Sequence, residues 1–137
     1  GGGTLADPGT ARSDGVRHAA AAMARHGIAR FLGVAGGGIL DLPGVGLRAD
    51  RPGYPEGFRR VSREHLAAWH ALRGTDLTWT LACTGDIVSG PRTGAYRVLP
   101  DVMPEGGRRI TIDDLVDFLL RELAESRFPR RRVGVAE

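Results

Sequence analysis

Three short apolar runs, each preceded by residues at helical spacing, constrain this chain more than any other feature. Ile28 to Ala35, Leu77 to Cys83 and Arg131 to Ala136 read as strands, the first two apolar enough to be buried on both faces. Ahead of the first, Ser13 is a candidate helix cap, Val16, Ala19, Ala20 and Met23 recur at helical spacing, and Gly27 stops the pattern. Ahead of the second, Ser62 is the candidate cap of a helix carrying Leu66, Trp69 and Leu72. Ahead of the third, Thr111 caps a helix whose first turn holds Asp113 and Asp114, where carboxylates favour the positive end of the helix dipole. Its apolar stripe is Ile112, Leu115, Val116, Leu119 and Leu123. Such alternation requires parallel strands joined by crossover helices, hence an α/β fold. A short further strand is expected over Ala95 to Val98. Three main strands are few for a doubly wound sheet. The strand at Ile28 to Ala35 would lack a neighbour on one side, and an unpaired apolar edge invites aggregation or a partner.

The length of 137 residues suits one domain, and 42% hydrophobic residues suffice for a core. All 19 basic residues are arginine, which reads first as a base-composition bias of the coding sequence. The net charge of +3 permits a nucleic-acid partner, but the arginines are scattered apart from Arg130-Arg131-Arg132 and aromatics are few, so none is expected. The single cysteine, Cys83, excludes an internal disulfide and a multi-cysteine metal site and reads as an inert core thiol. No run approaches the ~18 apolar residues of a membrane span, and Gly1-Gly2-Gly3-Thr4 is not a secretory signal, so a cytoplasmic location is expected. The chain does not start with methionine, which points to processing or to a longer parent.

Ligands of open α/β sheets bind beyond the carboxyl ends of the strands, which makes two loops candidates. Gly36-Gly37-Gly38 ends the first strand; it reads either as a flexible turn or as backbone that a flat ring can approach closely. Thr84-Gly85-Asp86-Ile87 follows the second strand at the equivalent position, either as a ligand loop or as a plain turn. Ile39 to Phe58, with Pro43, Pro52 and Pro55, reads as a long loop of the kind that often serves as a lid. In Pro91-Arg92-Thr93-Gly94-Ala95-Tyr96, Pro91 and Gly94 fix turns; the motif either holds the loop or brings Tyr96 to the crevice. His65 shares a helix face with Trp69 and Leu72, as a half-buried histidine or as a proton donor. His18, His26 and His70 have no metal-ligand spacing and read as surface residues; no metal is expected. The dinucleotide fingerprint is matched as text by Gly1 to Ala6 and by Gly44 to Ala49. Neither lies between a strand and the helix it opens, so both are rejected, and no nucleophile elbow, P-loop or zinc spacing is present.

From about Gly15 to Ala136, these stretches resemble the second half of an atypical short-chain dehydrogenase/reductase. The resemblance is to the NmrA-like group, in its flavin reductase and biliverdin-IXβ reductase-like branch. It implies one partial NAD(P)-binding Rossmann-like domain over residues 1–137, with a loop at 1–12 and the α/β core at 13–136, without the fingerprint half. It further implies that Gly36, Gly37 and Gly38 flank the nicotinamide, where many relatives carry a serine or threonine. The backbone of Thr84, Gly85, Asp86 and Ile87 would donate to the nicotinamide carboxamide, where relatives carry a proline-rich loop. Tyr96 would lie on the substrate side, and His65 matches a histidine that recurs in the branch. The Tyr-x-x-x-Lys pair of the wider superfamily is missing. The implied activity is hydride transfer from NAD(P)H to a flavin or similar flat acceptor, within a longer chain. The alternative is a non-catalytic remnant or regulatory module that pairs with itself or with a complementing chain through the open sheet edge.

Overall fold

In the computed structural model, which describes residues 4–5 and 7–137, the first helix, α1, runs Ala11–Arg25. It starts two residues before Ser13, which is therefore not its cap. Ser13 is buried inside α1, and its backbone N–H and hydroxyl both donate to the Glu64 carboxylate on the next helix. The helix ends as expected at Gly27, whose φ is +65°. There the Ile28 N–H donates to the Met23 carbonyl and the Gly27 N–H to that of Ala24, so the last carbonyls are satisfied.

Strand β1 is Arg30–Gly36. The stretch expected to be one long loop is instead ordered in pieces. A 3₁₀ turn covers Gly37–Ile39, a ribbon pairs β2 (Asp41–Leu42) with β3 (Gly46–Leu47), and a second 3₁₀ turn covers Arg48–Asp50. Gly44 and Gly46 shape the ribbon turn, which is why the textual fingerprint there opens no helix. The other textual match lies partly outside the described residues. Helix α2, Glu56–Arg73, starts six residues before Ser62. Pro55 precedes it and Glu56 occupies its first turn, a better entry signal than the serine. Ser62 is a buried mid-helix residue beside Tyr54.

The remaining elements are β4 (Thr78–Thr84), β5 (Asp86–Val88), β6 (Arg97–Pro100), β7 (Arg109–Thr111), α3 (Ile112–Glu125) and β8 (Arg131–Ala136). The main sheet has the order β1-β4-β8-β6. β1, β4 and β8 are parallel, whereas β6 runs antiparallel to β8. β5 and β7 form a separate parallel pair. The class is thus α/β with a mostly parallel sheet, and among the described residues β1 lies at an edge, paired with β4 alone.

Side chains leave β4 on alternate faces. Trp79, Leu81 and Cys83 join Leu72, Ile39 and Leu40 beneath α1 and α2. Ala82 joins Ile110, Leu115, Phe118, Val133 and Val135 beneath α3. Thr111 caps α3 as expected, its hydroxyl accepting from the Asp114 N–H. The expected apolar stripe of α3 divides in two. Leu115 is buried and Leu119 half-buried, but Ile112, Val116 and Leu123 are 47%, 46% and 57% exposed, and Leu120, outside the expected stripe, is 62% exposed beside them. Near the end of α3, buried Glu122 accepts from Arg30 at 2.7 Å, from the Thr80 hydroxyl, and from the N–H groups of Arg127 and Phe128.

Candidate active site

Parallel pairing sets Gly36 at the end of β1 opposite Thr84 at the end of β4. Beyond these two carboxyl ends opens a cleft of about 560 Å³. Its lining includes Gly36, Gly37, Gly38, Thr84, Gly85, Asp86 and His65, so the sheet gathers residues far apart in sequence. A larger hollow of about 750 Å³ lies at the opposite end of the same strands, walled by Ala20, Met23, Ile28 and Leu77 among others. The chemistry-bearing side chains are in the cleft at the carboxyl ends, where open α/β sheets bind ligands.

The glycines have a packing reason. A Cβ on Gly38 would overlap the Ser62 hydroxyl and lie 2.6 Å from the Tyr54 hydroxyl; one on Gly37 would lie 2.6 Å from Met103 Cε. A Cβ on Gly85 would overlap the Arg108 carbonyl. The space beside Gly37 and Gly38 is therefore filled by protein. The turn is tight because α2 and the Met103 loop press on it.

Four polar groups line this part of the cleft. The Thr84 hydroxyl is buried and has no hydrogen-bond partner among the described residues. The Tyr54 and Ser62 hydroxyls lie 3.3 Å apart. His65, one turn on from Ser62, has its pKa lowered to about 4, chiefly by burial and then by the Arg12 guanidinium, with Glu64 opposing. At neutral pH it is an uncharged imidazole, with one N–H to donate and one lone pair to accept.

Two expected site residues lie elsewhere. Ile87 is exposed on β5 and is not part of the cleft lining. Tyr96 packs edge-on against Phe118, and its hydroxyl donates to Asp117 at 2.7 Å. Burial and that hydrogen bond push its pKa up to about 12. The motif around Tyr96 is a fastening. Asp114 accepts from the Thr93 N–H, the Thr93 hydroxyl and the Gly94 N–H, and the Thr111 hydroxyl donates to the Pro91 carbonyl. The Thr93 hydroxyl above all holds the Asp114 carboxyl below its ordinary pKa.

Burial raises the Cys83 thiol to about 12. The Arg130 to Arg132 run is structural: Arg130 donates to the carbonyls of Thr75, Leu77 and Arg73, and buried Arg132 holds Asp41 while stacking on Trp69. His18, His26 and His70 are exposed. Among the described residues, no three metal-ligating side chains cluster. No described helix is long and apolar enough to cross a membrane. Sequence reasoning missed Tyr54, Phe58, Ser62, Arg48, Arg51 and Arg108 in the lining. The first five lie in or just after the stretch taken for a loop, and their only signal was its length.

The NAD(P)H-binding family profile matches residues 2–126. Among solved structures, an exported protein of Burkholderia pseudomallei, so described by its name, is 25% identical with a TM-score of 0.79, covering 91% of this chain and 65% of its own. SP1627 of Streptococcus pneumoniae, assigned by its name to the NADH-flavin reductases, is 22% identical with a TM-score of 0.73, covering 91% of this chain and 66% of its own. ChuY, an anaerobillin reductase from Escherichia coli O157:H7, is 18% identical with a TM-score of 0.73, covering 94% and 60%. The last two likenesses bear on the fold alone. The chain spans about two thirds or less of the length of these proteins. No curated protein matches it. With the profile matched over most of its length and a Rossmann-like, mostly parallel sheet beneath the cleft, the chain belongs to the NAD(P)H-binding family.

Proposed function

We propose that this chain supplies the nicotinamide and acceptor side of an NAD(P)H-dependent reductase whose acceptor is a flavin or a similarly flat molecule. The observation that carries the reading is the convergence of Gly36 to Gly38, Thr84 to Asp86 and His65 on one cleft at the carboxyl ends of β1 and β4. The names of SP1627 and ChuY lend it support, since both refer to reduction of flat conjugated acceptors.

The residues fit one end of the cofactor. The unpartnered, buried Thr84 hydroxyl and the backbone of Gly85 and Asp86 are suited to a carboxamide. For the diphosphate, no glycine-rich turn among the described residues joins a strand directly to an α-helix N-terminus; Gly36 to Gly38 lead only into the short 3₁₀ turn Gly37–Ile39. NAD(P)H, when bound, supplies a hydride and leaves as NAD(P)⁺; the acceptor takes up that hydride and one proton from water reaching the open cleft. Gly36 and the Tyr54 and Phe58 rings orient a flat acceptor, and neutral His65 donates a hydrogen bond to it. The test is NADPH oxidation by a form extended upstream to a fingerprint-bearing strand, with flavin as acceptor. If that form fails both to bind NADPH and to reduce flavin, the reading is overturned.

A second reading is favoured by the unpaired outer edge of β1 and the exposed face of α3. In it, the chain is a non-catalytic module that pairs with itself or a complementing chain. Sedimentation over a wide concentration range tests the self-pairing, and a clean monomer throughout would count against it.

A further inference from the structure

We propose that the cleft selects flat acceptors bearing an anionic group, and that Arg48, Arg51 and Arg108 read that group. This rests on the cleft being the acceptor's site.

Three arginines are among the residues that line the cleft, with Asp86 the one acidic residue among them. Elsewhere the arginines of this chain are largely committed: Arg17, Arg30, Arg92, Arg121, Arg131 and Arg132 each hold a carboxylate. Among the described residues, Arg48, Arg51 and Arg108 hold none, and the Arg51 guanidinium stacks 5.7 Å over the Tyr54 ring. Unpaired cations on a concave wall focus a positive potential into the cleft and raise the local concentration of anions. The guanidinium is planar and forked, so it grips a carboxylate or phosphate through two parallel hydrogen bonds. The cations come from two separate segments: Arg48 and Arg51 from the turns after β3, Arg108 from the loop before β7. The contact of Gly85 with the Arg108 backbone fixes the second segment against the floor. Tyr54 and the half-exposed Phe58 ring supply apolar surface beside them. Ring faces next to unpaired arginines suit a molecule with a planar body and a charged arm. Phosphate and carboxylate share this chemistry.

Three probes separate the sources: riboflavin, which has no anionic arm; flavin mononucleotide, with a phosphate; and biliverdin, with two propionates. Affinities for the 137-residue chain are read from flavin fluorescence quenching and from the biliverdin absorbance shift. At least one anionic probe should bind about tenfold or more tighter than riboflavin, the gain from one charge-assisted pair. That preference should collapse in about 0.5 M salt, where screening is strong. Arg48→Gln with Arg51→Gln, and separately Arg108→Gln, should lower anionic affinity towards the riboflavin value and leave riboflavin binding unchanged. Tighter binding of flavin mononucleotide alone assigns a phosphate, and of biliverdin alone a carboxylate. Equal affinity for all three probes, loss of riboflavin binding in the variants, or no binding of any probe would overturn the proposal. A cleft that shows the preference while the extended form fails to oxidise NADPH would keep this inference and refute hydride transfer.

Discussion

His65 ties the cleft to the stability of the chain. Its folded-state pKa is lowered to about 4 from an ordinary 6.5, so the unfolded chain takes up the proton first as pH falls. Between those values the unfolded state binds more protons, so stability rises with pH. The contribution is fully present above about pH 6.5 and is lost progressively towards pH 4, a change of up to ~3 kcal/mol. Urea midpoints across that window should fall with acidification, and His65→Gln should flatten the slope. A wild-type profile that stays level would contradict the burial assigned to the ring. Cys83 makes a simpler case. With its thiol buried and its pKa raised to about 12, it should resist thiol-specific reagents in the native state and react in full once denaturant is added.

At the level of elements, α3 is held by two acids that the sequence presents alike but the fold uses differently. Glu122 neutralises Arg30 of β1 and receives three further hydrogen bonds, so removing it strands a half-buried cation. Glu122→Ala should cost roughly 3–5 kcal/mol in denaturant unfolding; a change below about 1 kcal/mol would place the Arg30 charge in solvent instead. Asp114 gathers the Thr93 and Gly94 loop. Its partners are some twenty residues upstream, and nothing in local spacing joins them. That is why the Pro91 to Tyr96 motif was visible while its purpose was not. Thr111 was legible as a cap because capping is local. Ser13 and Ser62 misled for the converse reason: each hydroxyl serves a contact between segments. The β5 and β7 strands, three residues each, are too short for alternation to register.

Across the whole molecule, the candidate site was legible where it depends on sheet logic and illegible where it depends on excursions. Parallel strands put their carboxyl ends together, so Gly36 to Gly38 and Thr84 to Asp86 could be paired from sequence. Arg48, Tyr54 and Arg108 reach the cleft from a 3₁₀ turn, a helix entry and a loop, whose positions no periodicity encodes. The outward face of α3, with Ile112, Val116, Leu120 and Leu123 exposed, is the other large-scale feature. Val116→Glu with Leu120→Lys should leave thermal stability nearly unchanged and reduce binding of an apolar dye, since neither side chain is in a core. A large fall in melting temperature would mean the face is already covered in solution.

The placement of β4 also bears on how the chain reaches this state. It is the strand between β1 and β8, and its partners on both sides lie ~50 residues away in sequence. No hairpin joins neighbouring strands of the main sheet, so no local turn can zip it together. Loop closure must precede most of the reward, so folding should be slower than for a helical bundle of this size. On a ribosome the apolar β4 segment would have β1 already made on one side but would wait for β8, some fifty residues further on, to cover the other.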